Sequence, residues 1–99
     1  MIVIAGTMKM DPASRDEFLD AAKGAMEGTR AEEGNEEYVF SADVVDPGLV
    51  RLFEIWDDAG RLRGHMRADH MRAFGAAIKH IEVDRSIAIY NIDGEPTFL

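Results

Sequence analysis

The sequence predicts an α+β domain in which helices cover one face of a four-stranded antiparallel sheet. Three observations carry that expectation. Apolar runs of strand character and stretches of helical periodicity follow one another in the order strand, helix, strand, strand, helix, strand. The two central strands are joined by Asp46-Pro47-Gly48, a hairpin turn by composition. The first and last strands carry apolar side chains at consecutive positions, so neither face of the sheet reads as wet. This is the βαββαβ order of the ferredoxin-like fold, whose right-handed crossovers set both helices on the same side.

Met1 to Met10 reads as the first strand, with Ile2, Val3, Ile4 and Ala5 directed to both faces. Gly6 in its middle marks a close approach, expected from a packed helix side chain. Asp11-Pro12 then announces a helix, Asp as cap and Pro at the first helical position, while Ser14 with Glu17 offers a competing capping box. Phe18, Ala22, Ala25, Met26 and Thr29 share one face of that helix, with Arg15, Asp16, Asp20, Lys23 and Glu27 largely opposite. It runs out at Glu32-Glu33-Gly34-Asn35, where Gly34 suits a left-handed C-terminal cap.

Tyr38, Phe40, Ala42 and Val44 alternate with Glu37, Val39, Ser41 and Asp43, a period of two and hence a strand. Gly48 is expected to supply the positive dihedral of the turn that follows. Leu49 to Trp56 returns with Val50, Leu52, Glu54 and Trp56 on one face and Arg51, Phe53 and Ile55 on the other. The second helical stretch is capped by Asp57 or Asp58 and is interrupted near Ala68-Asp69, where Asp69 is expected to cap a second segment. Leu62, His65 and Met66 share a face before the break, and Met71, Phe74, Ile78 and Ile81 form an apolar stripe after it. Asp84 to Ile92 closes the domain, Ile87 and Ile89 facing away from Ala88, Tyr90 and Ile92. Residues 1–92 thus make one domain, and 93–99 form a C-terminal extension whose Phe98-Leu99 end either frays or docks on a partner subunit.

A sheet with helices on one side needs a cover on the other. Leaving its outer Val, Ile and Tyr side chains wet would forgo about 1.5–3 kcal/mol apiece. A second copy of the chain is the economical cover, so a homodimer with a barrel-like interior is expected.

Nineteen acidic against eleven basic residues give a formal charge of −8, which repels a phosphate backbone and argues against nucleic acid as a partner. The absence of cysteine excludes disulfides, thiolate catalysis and cysteine-bound metal clusters. No apolar run approaches the ~18 residues of a membrane span, so a cytoplasmic protein with no membrane partner is expected.

Candidate chemistry gathers around the broken helix. His65 and His70 would be about 140° apart on a straight helix, but the break can turn both toward one cavity. A histidine of near-neutral pKa suits removal of a phenolic or α-carbonyl proton; the plainer reading is a ring that packs or caps within the break. The H-x4-H spacing matches no common metal motif and no carboxylate is evidently placed beside it, so no metal site is expected. Glu54 is either paired with an arginine or held in a pocket with a raised pKa. Trp56, Tyr38, Met66, Met71 and Phe74 read as core, or as walls suited to a flat aromatic ring. There is no P-loop, G-x-S-x-G elbow, dinucleotide fingerprint or H-E-x-x-H pair.

At Glu54-x-Trp56, His65-Met66 and Asp69-His70-Met71-x-x-Phe74 the chain resembles the antibiotic biosynthesis monooxygenase domain family. The opening Ile2-Val3-Ile4-Ala5-Gly6, the helix Arg15-x-Glu17-Phe18-Leu19 and the link Glu33-Gly34 fit as well, over residues 1 to about 92. The resemblance implies a dimeric α+β barrel with one pocket per subunit, catalytic roles for His65 and His70, and a substrate wall of Glu54, Trp56, Met66, Met71, Phe74 and Tyr38. Activities in the family include cofactor-independent oxygenation of quinol-like aromatics, haem degradation and carbonyl isomerisation. The haem-degrading branch carries an asparagine on the first strand and a tryptophan and histidine on the second long helix. This chain has Thr7, His65 and Gly75 there, so haem is not expected. The resemblance implies a cofactor-free monooxygenase acting with molecular oxygen on a quinol-like or polyketide-like aromatic. Alternatives are a carbonyl isomerase or tautomerase in the same pocket, and a non-catalytic dimeric binding module for a hydrophobic metabolite.

Overall fold

In the computed structural model, which describes residues 1–99, four strands and three helices follow the expected order. The strands are β1 (Ile2–Lys9), β2 (Asn35–Ala42), β3 (Leu49–Trp56) and β4 (Asp84–Asn91); the helices are α1 (Arg15–Arg30), α2 (Ala59–His65) and α3 (Asp69–Ala77). The sheet order is β2-β3-β1-β4, antiparallel at every pairing, as the ferredoxin-like fold requires.

The inner face follows the alternation of the sequence. Ile2, Ile4 and Met8 of β1, Tyr38 and Phe40 of β2, and Val50, Leu52, Glu54 and Trp56 of β3 are all buried beneath the helices. Helix α1 answers with Phe18, Ala22, Ala25 and Thr29. Helix α2 contributes Leu62 and His65, and Phe74 and Ile78 close the layer. The outer face is apolar across β3, β1 and β4. Val3 lies opposite both Ile55 and Tyr90, and Ala5 opposite both Phe53 and Ala88. Phe53 is 38% and Tyr90 52% exposed. The extension 93–99 leaves the sheet without strand or helix, and Phe98 and Leu99 lie exposed.

Several local expectations are corrected. Asp11 caps a short 3-10 turn, Pro12–Ser14, by accepting from the Ala13 amide at 2.9 Å, and Ser14 makes no side-chain cap to α1. Asp58 caps α2, accepting from the Arg61 amide at 2.8 Å. Ala68, and not Asp69, occupies the cap position of α3; Asp69 pairs instead with Arg72. Gly34 has the predicted left-handed φ of 91°, but it lies beyond the C-cap of α1, which is Ala31 in the right-handed region, and Gly48 does not have a positive φ. Gly48 is required for closeness: a Cβ there would sit 2.3 Å from the carbonyl oxygen of Met10. At Gly6 the close neighbour is the β4 backbone, the Ser86 carbonyl oxygen lying 2.2 Å from where a Cβ would be, and no helix side chain intrudes.

Gly6→Ala is therefore expected to part β1 from β4 and to lower stability by about 1–3 kcal/mol, the cost typical of overpacking. Urea unfolding of the variant and parent checks this, with a shifted midpoint at unchanged slope.

Candidate active site

The inner face is roofed unevenly. Helix α1 packs on β2 and α3, and Phe18, Phe40 and Phe74 interlock with ring centroids 5.4–5.7 Å apart. Toward β4 the short helices α2 and α3 span a cavity of about 530 Å³. Ile4, Ile87 and Ile89 floor it, Tyr38, Leu52 and Glu54 form its inner wall, and Met71 and Phe74 its roof. Arg72 and Arg85 are its basic residues.

His65 ends α2 on the wall of this cavity and is 5% exposed. Its ring rests 4.8 Å from Trp56 and 5.2 Å from Tyr38, centroid to centroid. Its Nδ1 lies 3.0 Å from Oε2 of Glu32, just beyond the end of α1, and 3.5 Å from Oγ1 of Thr29. A carboxylate only accepts, so Nδ1 carries the proton and donates it, leaving Nε2 as the ring's free acceptor. Burial pushes the His65 pKa down; the nearby Glu32 charge and hydrogen bond oppose that shift, and His70 reinforces it.

The helix break brings His70 to the same carboxylate. Its Nε2 stands 2.9 Å from the other oxygen, Oε1 of Glu32, but out of line for an N–H donor, so this buried nitrogen has no hydrogen-bond partner. His70 faces the groove between α1 and α3 and not the cavity. It fits there because residue 28 is glycine: a Cβ would lie 2.6 Å from the His70 ring. The sequence reading placed no carboxylate beside the histidines. The fold supplies one from the far end of α1, and the three ligand groups lie within 4.8 Å of one another.

Glu54 is 5% exposed and receives a 2.8 Å hydrogen bond from Trp56 Nε1. Burial raises its pKa, the indole bond draws it back, and the Glu32 charge raises it further. It is thus the buried acid of raised pKa and not the arginine-paired one. Burial likewise drives the Tyr38 hydroxyl far up, with Glu54 and Glu32 adding to the shift, so that phenol remains a donor; it points to Met71 Sδ at 3.7 Å.

Of the residues singled out in the sequence, the cavity collects His65, Glu54, Tyr38, Met66, Met71 and Phe74. Met66 is 71% exposed and serves as rim, not wall. Trp56 is fully buried behind Glu54 and His65 and does not line the cavity, so it supports the wall without being part of it. Glu32, Thr29, Arg72 and Arg85 were not foreseen. Only Thr29 left a signal, as a polar residue on the apolar face of α1.

The sequence model of the antibiotic biosynthesis monooxygenase family matches residues 1–77. A Bacillus subtilis protein named "Putative monooxygenase YcnE" is 32% identical over 82% of this chain and 85% of its own. A conserved protein from Methanosarcina mazei superposes with a TM-score of 0.81 at 27% identity, covering 90% of this chain and 89% of that one. A Deinococcus radiodurans protein, described as a "putative antibiotic biosynthesis monooxygenase", reaches a TM-score of 0.86 at 24% identity over 100% and 99% of the two chains.

Glu54→Gln keeps the acceptor for Trp56 and removes the buried charge. Because the folded pKa of Glu54 is raised above its ordinary 4.5, the folded state holds the proton more tightly, and its stabilising share falls as pH rises through the folded pKa. The variant is expected to match the parent below about pH 4.5 and to be the more stable of the two at pH 8, read by thermal unfolding across that range.

Proposed function

The chain belongs to the antibiotic biosynthesis monooxygenase family, and from that premise we propose that its cavity oxidises a quinol-like or polyketide-like aromatic with molecular oxygen and without a cofactor. One observation carries the reading: a buried imidazole, oriented by Glu32, stands on the wall of an apolar cavity whose volume and lining suit a fused or substituted ring. His65 Nε2 takes the phenolic proton, and the imidazolium so formed is stabilised by Glu32. The phenolate is electron-rich enough to pass an electron to oxygen, and recombination forms a C–O bond at a ring carbon. The O–O bond then breaks and its outer oxygen leaves as water. For a hydroquinone the sum is hydroquinone plus dioxygen giving hydroxyquinone plus water, with all four electrons drawn from the ring. Tyr38, held protonated, can donate to a ring oxygen, and the apolar walls keep bulk water from the intermediate. His70, off the cavity wall, acts through Glu32 as a positioning residue.

A second reading is favoured by Glu54. A buried acid of raised pKa and an imidazole share one cavity, the pairing that a carbonyl isomerase or tautomerase uses to move a proton between carbons. It is separated from the first by its indifference to oxygen.

We further propose that two copies pack outer face to outer face. That arrangement buries Phe53, Ile55 and Tyr90, and the exposed Phe98-Leu99 end supplies a second contact. Sedimentation at micromolar concentration is expected to give a dimer for the parent and a monomer for Phe53→Glu/Tyr90→Glu.

With menadiol-like hydroquinones, the metal-stripped protein is expected to consume one oxygen per product. His65→Gln should lower kcat/KM by about 10²–10⁴-fold, the usual contribution of a general base. Rates for parent and variant no faster than autoxidation in buffer would remove the oxygenase reading, and turnover that persists without oxygen would select the isomerase.

A further inference from the structure

We propose that Glu32, His65 and His70 form a binding site for a divalent first-row transition ion of the zinc, cobalt, nickel or copper type. Two imidazole nitrogens and one carboxylate are the donor set such ions favour, whereas magnesium and calcium require oxygen. Bonds of about 2.0–2.1 Å meeting near a right angle put neighbouring donor atoms about 2.9 Å apart. The carboxylate oxygens of Glu32 lie 3.0 Å from His65 Nδ1 and 2.9 Å from His70 Nε2, one oxygen to each ring. That spacing suits a two-oxygen carboxylate with an imidazole beside each oxygen, leaving further positions for water.

The cluster has features beyond proximity. His70 Nε2 is buried and lacks a hydrogen-bond partner although an acceptor lies close, because the contact is not along its N–H direction. A shared cation, unlike a proton, satisfies that nitrogen without requiring N–H alignment. The donors come from three places, the turn after α1, the end of α2 and the start of α3, so the tertiary fold sets their spacing. Gly28 vacates the volume that His70 needs, and Thr29 Oγ1 stands beside His65 Nδ1. An entry path exists as well: the Glu32 and His70 side chains are 19% and 27% exposed, and His70 lines the open groove between α1 and α3.

An ion bound at Nδ1 displaces the proton through which Glu32 orients His65. Occupancy therefore takes the imidazole out of the arrangement assigned to proton removal, and the ion inhibits turnover. This consequence rests on the oxygenase reading; the binding does not.

Calorimetry with zinc and visible absorption with cobalt, both on chelator-treated full-length protein, test the site. One equivalent is expected, with cobalt bands in the visible. Glu32→Gln and His70→Gln should each weaken affinity by more than about tenfold, the loss that even an outer-shell change can cause. Gly28→Ala should weaken it too, by displacing His70. His80→Gln, which alters the exposed His80–Glu17 pair elsewhere, should leave affinity unchanged. Nitrogen shifts of His65 Nδ1 and His70 Nε2 in the parent on adding zinc give a readout that needs no variant. Absence of binding at millimolar metal, or affinity lost in His80→Gln and retained in Glu32→Gln, would overturn the proposal. Zinc binding in a protein that never oxidises a quinol would sink the oxygenase reading and leave the site standing.

Discussion

Three phenylalanine rings decide where this protein has room. Phe18 from α1, Phe40 from β2 and Phe74 from α3 are all buried and meet edge to face or tilted. Such pairs contribute about 0.5–1.5 kcal/mol each beyond the area they bury. They fasten the roof to the sheet near β2. Toward β4 no comparable knot exists; Ile87 is half-buried and Ile89 59% exposed. The helices must therefore bridge a gap, and the gap is the cavity.

Electrostatics is then concentrated at the inner end of that gap. Glu54, Glu32, His65, His70 and Tyr38 influence one another within a small, poorly solvated volume. Burial disfavours the charged forms of Glu54, Tyr38 and His65: the first two go up and the last goes down. A neutral imidazole beside a reluctant acid and an un-ionised phenol is a set of proton donors and acceptors held in one small volume. Trp56 holds the set in register by donating to Glu54 while its ring supports His65. The tryptophan is thus a backing plate, which explains its complete burial.

The fold was readable because its signals are local. Alternation placed Val50, Leu52, Glu54 and Trp56 on one face, and the 3.6-residue stripe placed Phe18, Ala22, Ala25 and Thr29 on another. Gly34 was legible as a left-handed residue, though not as the helix cap, since backbone handedness is a property of one residue. Gly6 and Gly48 were misread for the opposite reason: what approaches them, the backbones of β4 and of Met10, is distant in sequence. The site divides along the same line. His65, Glu54 and Met71 followed from strand register and the helix break. Glu32 could not be foreseen as their partner, because it lies 33 residues before His65 and only the crossing of α1 over the α2–α3 junction joins them.

The roof of the cavity is made of short pieces. Helix α2 has 7 residues and α3 has 9, joined by a stretch with no regular structure at Ala68. Isolated helices under about 12–15 residues are marginal in water, so this arch owes its shape to the few side chains that anchor it, chiefly Leu62, His65, Phe74 and Ile78. Its amides are therefore expected to trade hydrogen with solvent before those of the β1–β3 pair. A guest filling the space beneath the arch is expected to slow that exchange, because it would add the contacts the short helices lack.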